Sequence, residues 1–411
     1  MPLEDVDFGD IHTYARAGDA QVLGSLGTIE TVAENNRATA WSAAGSALGI
    51  VIEGETEALL PTTSDPHLIL ATLVNATQTA DAVAAPDGTT TATQLIEDTT
   101  VTAAHYVFGT FTSSPAINAG SNRCWSFFVK ANGRTRFAAI MYDSGAQSNY
   151  VQTVINLTAG TATGSAGGNG VLVLALDPEA YPNGWYRITL IGTPNPSSTN
   201  ALRPRVQLYS DAGSVNYTGD GASGVYLWGH NIHTGLSLRS FIATTSAPKT
   251  RGADLVALTN LSSTFSATQG TFYAKFKVPH AAPAGITRTI IYAWDGTTDN
   301  SYDIRIDAAS LMVTAVVRSG ASQVASISGG AVTAGSFANV AFSYTADAFR
   351  ISVNGATAVS DTAGAVPTGI NAVFLGRSNA SGANPLDGVI QKFERRIAAM
   401  NATDLAVFSA T

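Results

Sequence analysis

Two clusters in the sequence set aromatic rings beside groups able to hydrogen-bond hydroxyls. One is Tyr142-Asp143 with Tyr150; the other is Trp294-Asp295 with Asp299, Asn300 and Tyr302. A flat ring covers the apolar face of a sugar while amides and carboxylates take its hydroxyls, so both clusters are candidate ligand-binding sites for a glycan. The competing reading is packing, because aromatic residues on strands mostly fill cores. Trp125, Trp185 and Trp228 fall under that second reading, since each has apolar neighbours at its own strand parity.

Cutting a sugar chain would require a pair of carboxylates, and the sequence offers little of that kind. Glu53, Glu55 and Glu57 alternate and would share one face of a strand. Three like charges on one face resist burial, which favours an exposed strand edge or turn. The motifs Glu-x-Asp-x-x-Glu, His-Glu-x-x-His and Gly-x-Ser-x-Gly are absent, as is a glycine-rich phosphate loop with lysine. No catalytic residue is therefore assigned, and a protein that is not an enzyme is expected. His230 and His233 stand three apart, an interval that sends two strand side chains to opposite faces and argues against a shared metal. No cofactor is expected. A structural calcium is compatible with the turn residues Asp87, Asp220 and Asp295, although none of these loops has regular oxygen-ligand spacing.

The elements that carry these groups read as strands. Period-two stretches bounded by Gly, Asn and Asp recur about every ten residues, among them Trp125 to Lys130, Arg136 to Tyr142, Arg205 to Tyr209, Tyr302 to Ile306 and Phe349 to Val353. Tight reversals are marked by Asn132-Gly133, Asn183-Gly184, Asp220-Gly221, Asn354-Gly355 and Asp387-Gly388. A short helix is expected only near Asn401 to Phe408, with Asn401 or Thr403 as its cap.

The surface chemistry agrees. Only 13% of the 411 residues are charged, against a usual figure of about 25%, so Ser, Thr, Asn and Gly carry solubility. A net charge of -8 without a run of Lys or Arg excludes nucleic acid as a partner. The single cysteine, Cys124, sits in CWSFFV and reads as a core residue. The acidic opening MPLEDVDFGD is unlike a signal peptide, and no apolar run reaches the length of a membrane span. Synthesis in the cytoplasm without membrane insertion is the expectation.

Two boundaries follow from composition: PTTSDP at 61 to 66 and the unalternating IATTSAPKT at 242 to 250. The expected fold class is all-β, with two antiparallel β-sandwich or jelly-roll domains at 61–247 and 248–411. Before them, 1–60 form a short β-rich hairpin segment that completes a sandwich or attaches the chain to another subunit.

Three stretches together resemble phage and prophage structural proteins: NNRATAW with GIVIEGETEALL; APDGTTTATQLIED with CWSFFVKANGRTRFAAIMYD and NGWYRITL; and GDGASGVYLWGHNIHTGLSLRSFIATTSAPKTRGADLVAL. The middle segment is similar to carbohydrate-binding-module-like jelly rolls of phage tails and fibres, in which YTGDGASGVYLWG would be the last strand. From about residue 259 the chain resembles a concanavalin A-like, laminin G-like sandwich, on TFYAKFKV, FRISVNG, VFLGRS and DGVIQKFERRIAAMNATDLAVF. The resemblance implies a virion surface fibre or spike protein that adheres to host polysaccharide, works as a homo-oligomer beside other virion proteins, and is made in the host cytoplasm. The alternatives are a purely structural or decorating virion protein and, third, a polysaccharide depolymerase.

Overall fold

The structure, a computed structural model, describes residues 13–63, 65–109, 117–259, 261, 265–281, 285–307, 309–379 and 383–410. The described chain is nearly all antiparallel strand, as the period-two patterning requires.

In the middle of the chain, alternation builds a sandwich. One sheet runs in the order Thr161–Gly167, Ala146–Asn156, Arg136–Asp143, Leu202–Leu208, His105–Phe108 and Thr72–Val74. Its inward positions, among them Phe137, Ala139, Met141, Val151, Val206 and Leu208, meet Trp125, Phe127, Val129, Ile188, Leu190 and Leu227 of the facing sheet in one core. That facing sheet is centred on Arg123–Asn132, Trp185–Thr193 and Gly224–Thr234. The three tryptophans are buried, and Cys124 lies beside Trp125, where burial pushes its thiol up to about 12.

The strand Gly224–Thr234 contains a break in parity that matters for packing. Val225 and Leu227 face the core, Trp228 faces a separate cluster with Phe128, Trp185 and Phe241, and Ile232 returns to the core. The register shift opposite Ser126 and Phe128 absorbs one residue, and Gly229 takes φ 66° there. A Cβ on Gly229 would lie 2.9 Å from the Phe128 ring, so only glycine fits. The bulge re-aims His230 into the core, where its ring stacks on Phe127 at 4.8 Å and its Nδ1 accepts from Trp125 Nε1 at 3.2 Å.

The turn that precedes this strand is fastened by a buried acid. Glu97 accepts from Arg134 Nε at 2.8 Å, Arg134 Nη2 at 2.5 Å, Tyr217 Oη at 2.6 Å and the backbone N of Asp220 at 3.0 Å. Burial alone would raise the Glu97 carboxyl, but the bonds from Arg134 and Tyr217 outweigh it and hold the group below the usual carboxylate range. Glu97→Ala removes the buried acid of the cluster, leaving Arg134 with Asp211 and Asp220 at 3.3 and 3.5 Å, and is expected to cost about 2 kcal/mol in chemical denaturation, whereas Asp211→Ala, on the exposed rim of the same arginine, costs under about 1 kcal/mol.

The C-terminal sandwich pairs two sheets around Phe272, Phe276, Ile291, Tyr302, Ile304, Phe342, Tyr344 and Phe393. Strands from before residue 60 complete both sheets: Thr13–Ala15 pairs with Leu255–Leu258, and Ala47–Ile52 pairs with Gly388–Arg396. Ala20–Leu23 and Ile29–Val32 form a hairpin whose Ile29 packs against the Phe128–Trp228–Phe241 cluster. The helix Ala402–Ser409 is capped by Asn401, whose side chain accepts from Asp404 N, and it seats Leu405 beside Tyr273.

The segment 242–250 lacks strand alternation, but it is not free. Thr244 Oγ1 donates to the Leu60 carbonyl at 2.7 Å and its backbone N donates to Thr63 Oγ1 at 2.8 Å, while Lys249–Arg251 pairs with Thr56–Ala58. Glu53, read from sequence as part of an exposed acidic edge, is buried instead. It accepts from Ser240 N and Oγ and lies 3.1 Å from Arg251, because the chain breaks strand geometry between Ala47–Ile52 and Thr56–Ala58 and no longer aligns the three glutamates.

Candidate functional site

The outer face of the sheet holding Arg136–Asp143 is built by strict alternation. With Phe137, Ala139 and Met141 inward, Ala138, Ile140 and Tyr142 must point outward. The same rule turns Arg203, Arg205, Gln207 and Tyr209 outward against inward Leu202, Val206 and Leu208. Register then sets neighbours: Tyr142 pairs with Tyr150 on one side and Arg203 on the other, and Ile140 pairs with Gln152 and Arg205. The result is a depression of about 320 Å³ lined by Tyr142, Tyr150, Tyr209, Arg205, Gln152 and Gln207.

Its side chains are partly pre-arranged. The Arg205 guanidinium lies 4.6 Å from the Tyr142 ring centre and 4.3 Å from that of Tyr106, and its Nη2 donates to Gln147 Oε1 at 3.1 Å. Arg203 lies 5.6 Å from the Phe108 ring centre. Gln152 donates to Ser165 Oγ at 2.9 Å. The Tyr142 hydroxyl, on a side chain 1% exposed, has no protein partner, and neither do Arg203 Nε and Arg205 Nε. What the depression offers a polar ligand is Gln152, Gln207, Tyr150 and Tyr209 beside Arg205.

Of the residues proposed from the first cluster, Tyr142 and Tyr150 line this depression. Asp143 does not: it is fully buried, at the end of the strand, and clamps a loop by accepting from Gly145 N at 2.9 Å, Asn200 Nδ2 at 2.8 Å and Asn195 Nδ2 at 2.8 Å. Burial opposes its charge, yet the bonds from Asn195 and Gly145 hold its carboxyl below the usual range. Arg203, Arg205, Gln207 and Tyr209 were missed. The signal was present in RPRVQLY, where polar and aromatic residues alternate with Pro204, Val206 and Leu208.

The second cluster divides. Trp294 ends Thr287–Trp294, half-buried on an outer face against Phe374 at 5.8 Å and Tyr292 at 5.9 Å. Asp295 makes an Asx turn, accepting from Thr297 N at 2.8 Å and Asn300 Nδ2 at 2.9 Å. Asn300 in turn accepts from Gly320 N at 3.2 Å, so both side chains serve the loop; Asp299 is exposed. Tyr302 is a core residue, 0% exposed, with its ring 4.5 Å from Tyr344. It alternates with outward Asp303, and parity excludes it from any ligand surface shared with Trp294.

His230 and His233 do not share a site, and no group of three or more potential ligands (His, Cys, Asp, Glu) suited to a metal is found among the described residues. A larger cavity of about 540 Å³ lies where the hairpin and both sandwiches meet, lined by Trp41, Glu53, Tyr181, Arg187, Arg239 and Asp387 among others. Its charges chiefly fasten the junction: Asp387 accepts from Arg239 Nε at 3.0 Å and Gly54 N at 2.9 Å.

Residues 250–405 match the Laminin_G_3 family, of the concanavalin A-like lectin/glucanases superfamily, in agreement with the resemblance read from about residue 259. No curated protein matches the chain. Among solved structures, the CBM40 domain of the Ruminococcus gnavus IT-sialidase bound to alpha2,3 sialyllactose overlaps 35% of this chain and 84% of its own, at 18% identity and TM-score 0.31. The NanB sialidase of Streptococcus pneumoniae overlaps 35% of this chain and 24% of its own, at 17% identity and TM-score 0.30. Domains LG4-5 of the mouse laminin alpha1 chain overlap 74% and 88%, at 9% identity and TM-score 0.27.

Proposed function

We propose that this chain is a non-enzymatic glycan-binding protein, and that the Tyr142 depression of the middle sandwich is its principal sugar site. The observation that carries this reading is the combination of tyrosine rings, outward amides and Arg205 lining one depression on one sheet face. Binding rather than cleavage is favoured because the residues lining the depression include no carboxylate, and glycoside hydrolysis ordinarily uses two. The concanavalin A-like sandwich at 250–405 is compatible with a second, weaker contact at Trp294.

The sequence resemblance supports placing the chain on the surface of a phage-like particle, as a fibre or spike component adhering to host polysaccharide. Several copies would convert weak single sites into useful avidity. Labelling of purified particles with antibody to this chain tests the location, and density inside the capsid or no labelling rules it out. For the site itself, Tyr150→Ala is expected to weaken binding to a host-surface polysaccharide at least tenfold on a glycan array, with the melting temperature little changed, since Tyr150 is only half-buried. Failure of the assembled wild-type protein to bind any host polysaccharide refutes the proposal.

A further inference from the structure

We infer that the Tyr142 depression selects an anionic sugar residue, one carrying a carboxylate or a sulfate. This rests on the glycan-binding reading above and adds the charge class of the ligand.

The inference comes from the two arginines. Arg203 and Arg205 stand two apart on Leu202–Leu208 and so share its outer face. The side chain that holds Arg205 is a neutral amide, Gln147, and no Asp or Glu is among the residues lining the depression. Among the described residues neither arginine has an ion-pair partner, whereas Arg16, Arg134, Arg239 and Arg251 are each matched to a carboxylate. On a chain of net charge -8, these two cations with no acid beside them give this face a local positive charge.

The geometry suits an oxyanion. Aromatic rings at 4.3 and 4.6 Å fix the plane of the Arg205 guanidinium, and Arg203 is held over Phe108. The Arg205 guanidinium is held by a neutral amide and two rings rather than by a carboxylate, which leaves its charge for the carboxylate or sulfate of a ligand. The chain's overall negative charge disfavours a polyanion at a distance, but at physiological salt that field is screened beyond about 8 Å, so the two arginines at contact decide.

The test measures binding of the full chain to matched polysaccharides: alginate, hyaluronan and colominic acid, each against its carboxyl-reduced form, and dextran sulfate against dextran. At least one anionic member is expected to bind ten times or more tightly than its neutral partner. Arg205→Gln and Arg203→Gln should each remove most of that difference, and Arg205→Lys should restore only part of it, because lysine keeps the charge without the fork. Preference for a carboxylated member identifies a uronic or sialic acid type of ligand; preference for dextran sulfate identifies a sulfated one. If neutral members bind equally well, or both Gln variants bind as wild type does, the charge inference is overturned while the glycan reading stands. If no member binds to protein that melts normally, both are overturned.

Discussion

Asp254→Ala is expected to lower stability by about 3 to 5 kcal/mol and to expose the N-terminal strands to protease. Asp254 is fully buried, and its carboxylate accepts from Tyr14 Oη at 2.7 Å, Arg251 Nη2 at 2.5 Å and Glu53 N at 2.9 Å, with Arg16 Nη1 at 3.4 Å. Removing it leaves Arg16 and Arg251, each 1% exposed, with the Glu53 carboxylate beside Arg251 the remaining ion-pair partner among the described residues. An uncompensated buried charge is among the costliest single changes in a folded protein. The same carboxylate joins strand Thr13–Ala15 to the entrance of the C-terminal sandwich, so denaturation and limited proteolysis should report together. Asp19→Ala, at the exposed pair with Lys249, serves as the control and should be nearly silent.

A second large effect concerns pH. Burial holds His230 at about 3, and burial with the nearby Arg288 holds His280 at about 4; His233 is likewise lowered to about 4, chiefly by burial. A histidine depressed in the folded state contributes stability that is complete above the unfolded value near 6.5 and is lost as pH falls towards the folded value. Asp303 acts in the opposite direction: burial raises it to about 6, so between about 4 and 6 the folded chain holds a proton there that the unfolded chain has released. In that window the unfolded state binds three more protons at the histidines and one fewer at Asp303, a net of about two. Stability should therefore fall by about 3 kcal/mol per pH unit between pH 6 and 4.5. Thermal melts across this range check it, and a melting temperature independent of pH from 7 to 4.5 contradicts it. His280 Nε2 accepts from Leu238 N at 3.0 Å, next to Arg239 of the junction, so the contact between sandwiches should loosen with the rest.

How far the sequence foretold this depended on whether parity could be read from local residues. Alternation in Arg136 to Tyr142 and in RPRVQLY correctly separates inward from outward positions, because a pleated strand with one buried face leaves little choice. Tyr302 failed for an instructive reason. Its polar neighbours Asp299 and Asn300 belong to the loop before the strand, and the alternation that starts at Ser301 sends Tyr302 inward with Ile304 and Ile306. Asp143 failed differently, since nothing local announces the partners Asn195 and Asn200, more than fifty residues away. The long-range charge knots around Glu97, Asp254 and Asp387 were equally illegible, as ion pairing across sheets depends on topology rather than spacing. Completion of a sandwich by 1–60 was one of the two roles legible in the sequence, but which edges Thr13–Ala15 and Ala47–Ile52 take depends on the same topology.

The glycan reading is tested most directly by finding where a bound sugar lies. An oligosaccharide that the wild-type chain binds, carrying a photoreactive group at its reducing end, can be cross-linked to the protein and the modified peptides mapped. Attachment within 136–156 or 202–209 is the predicted result, with loss of labelling in Tyr150→Ala. Labelling confined to the C-terminal sandwich, or unchanged in that variant, would contradict a sugar site on the outer face of the middle sandwich.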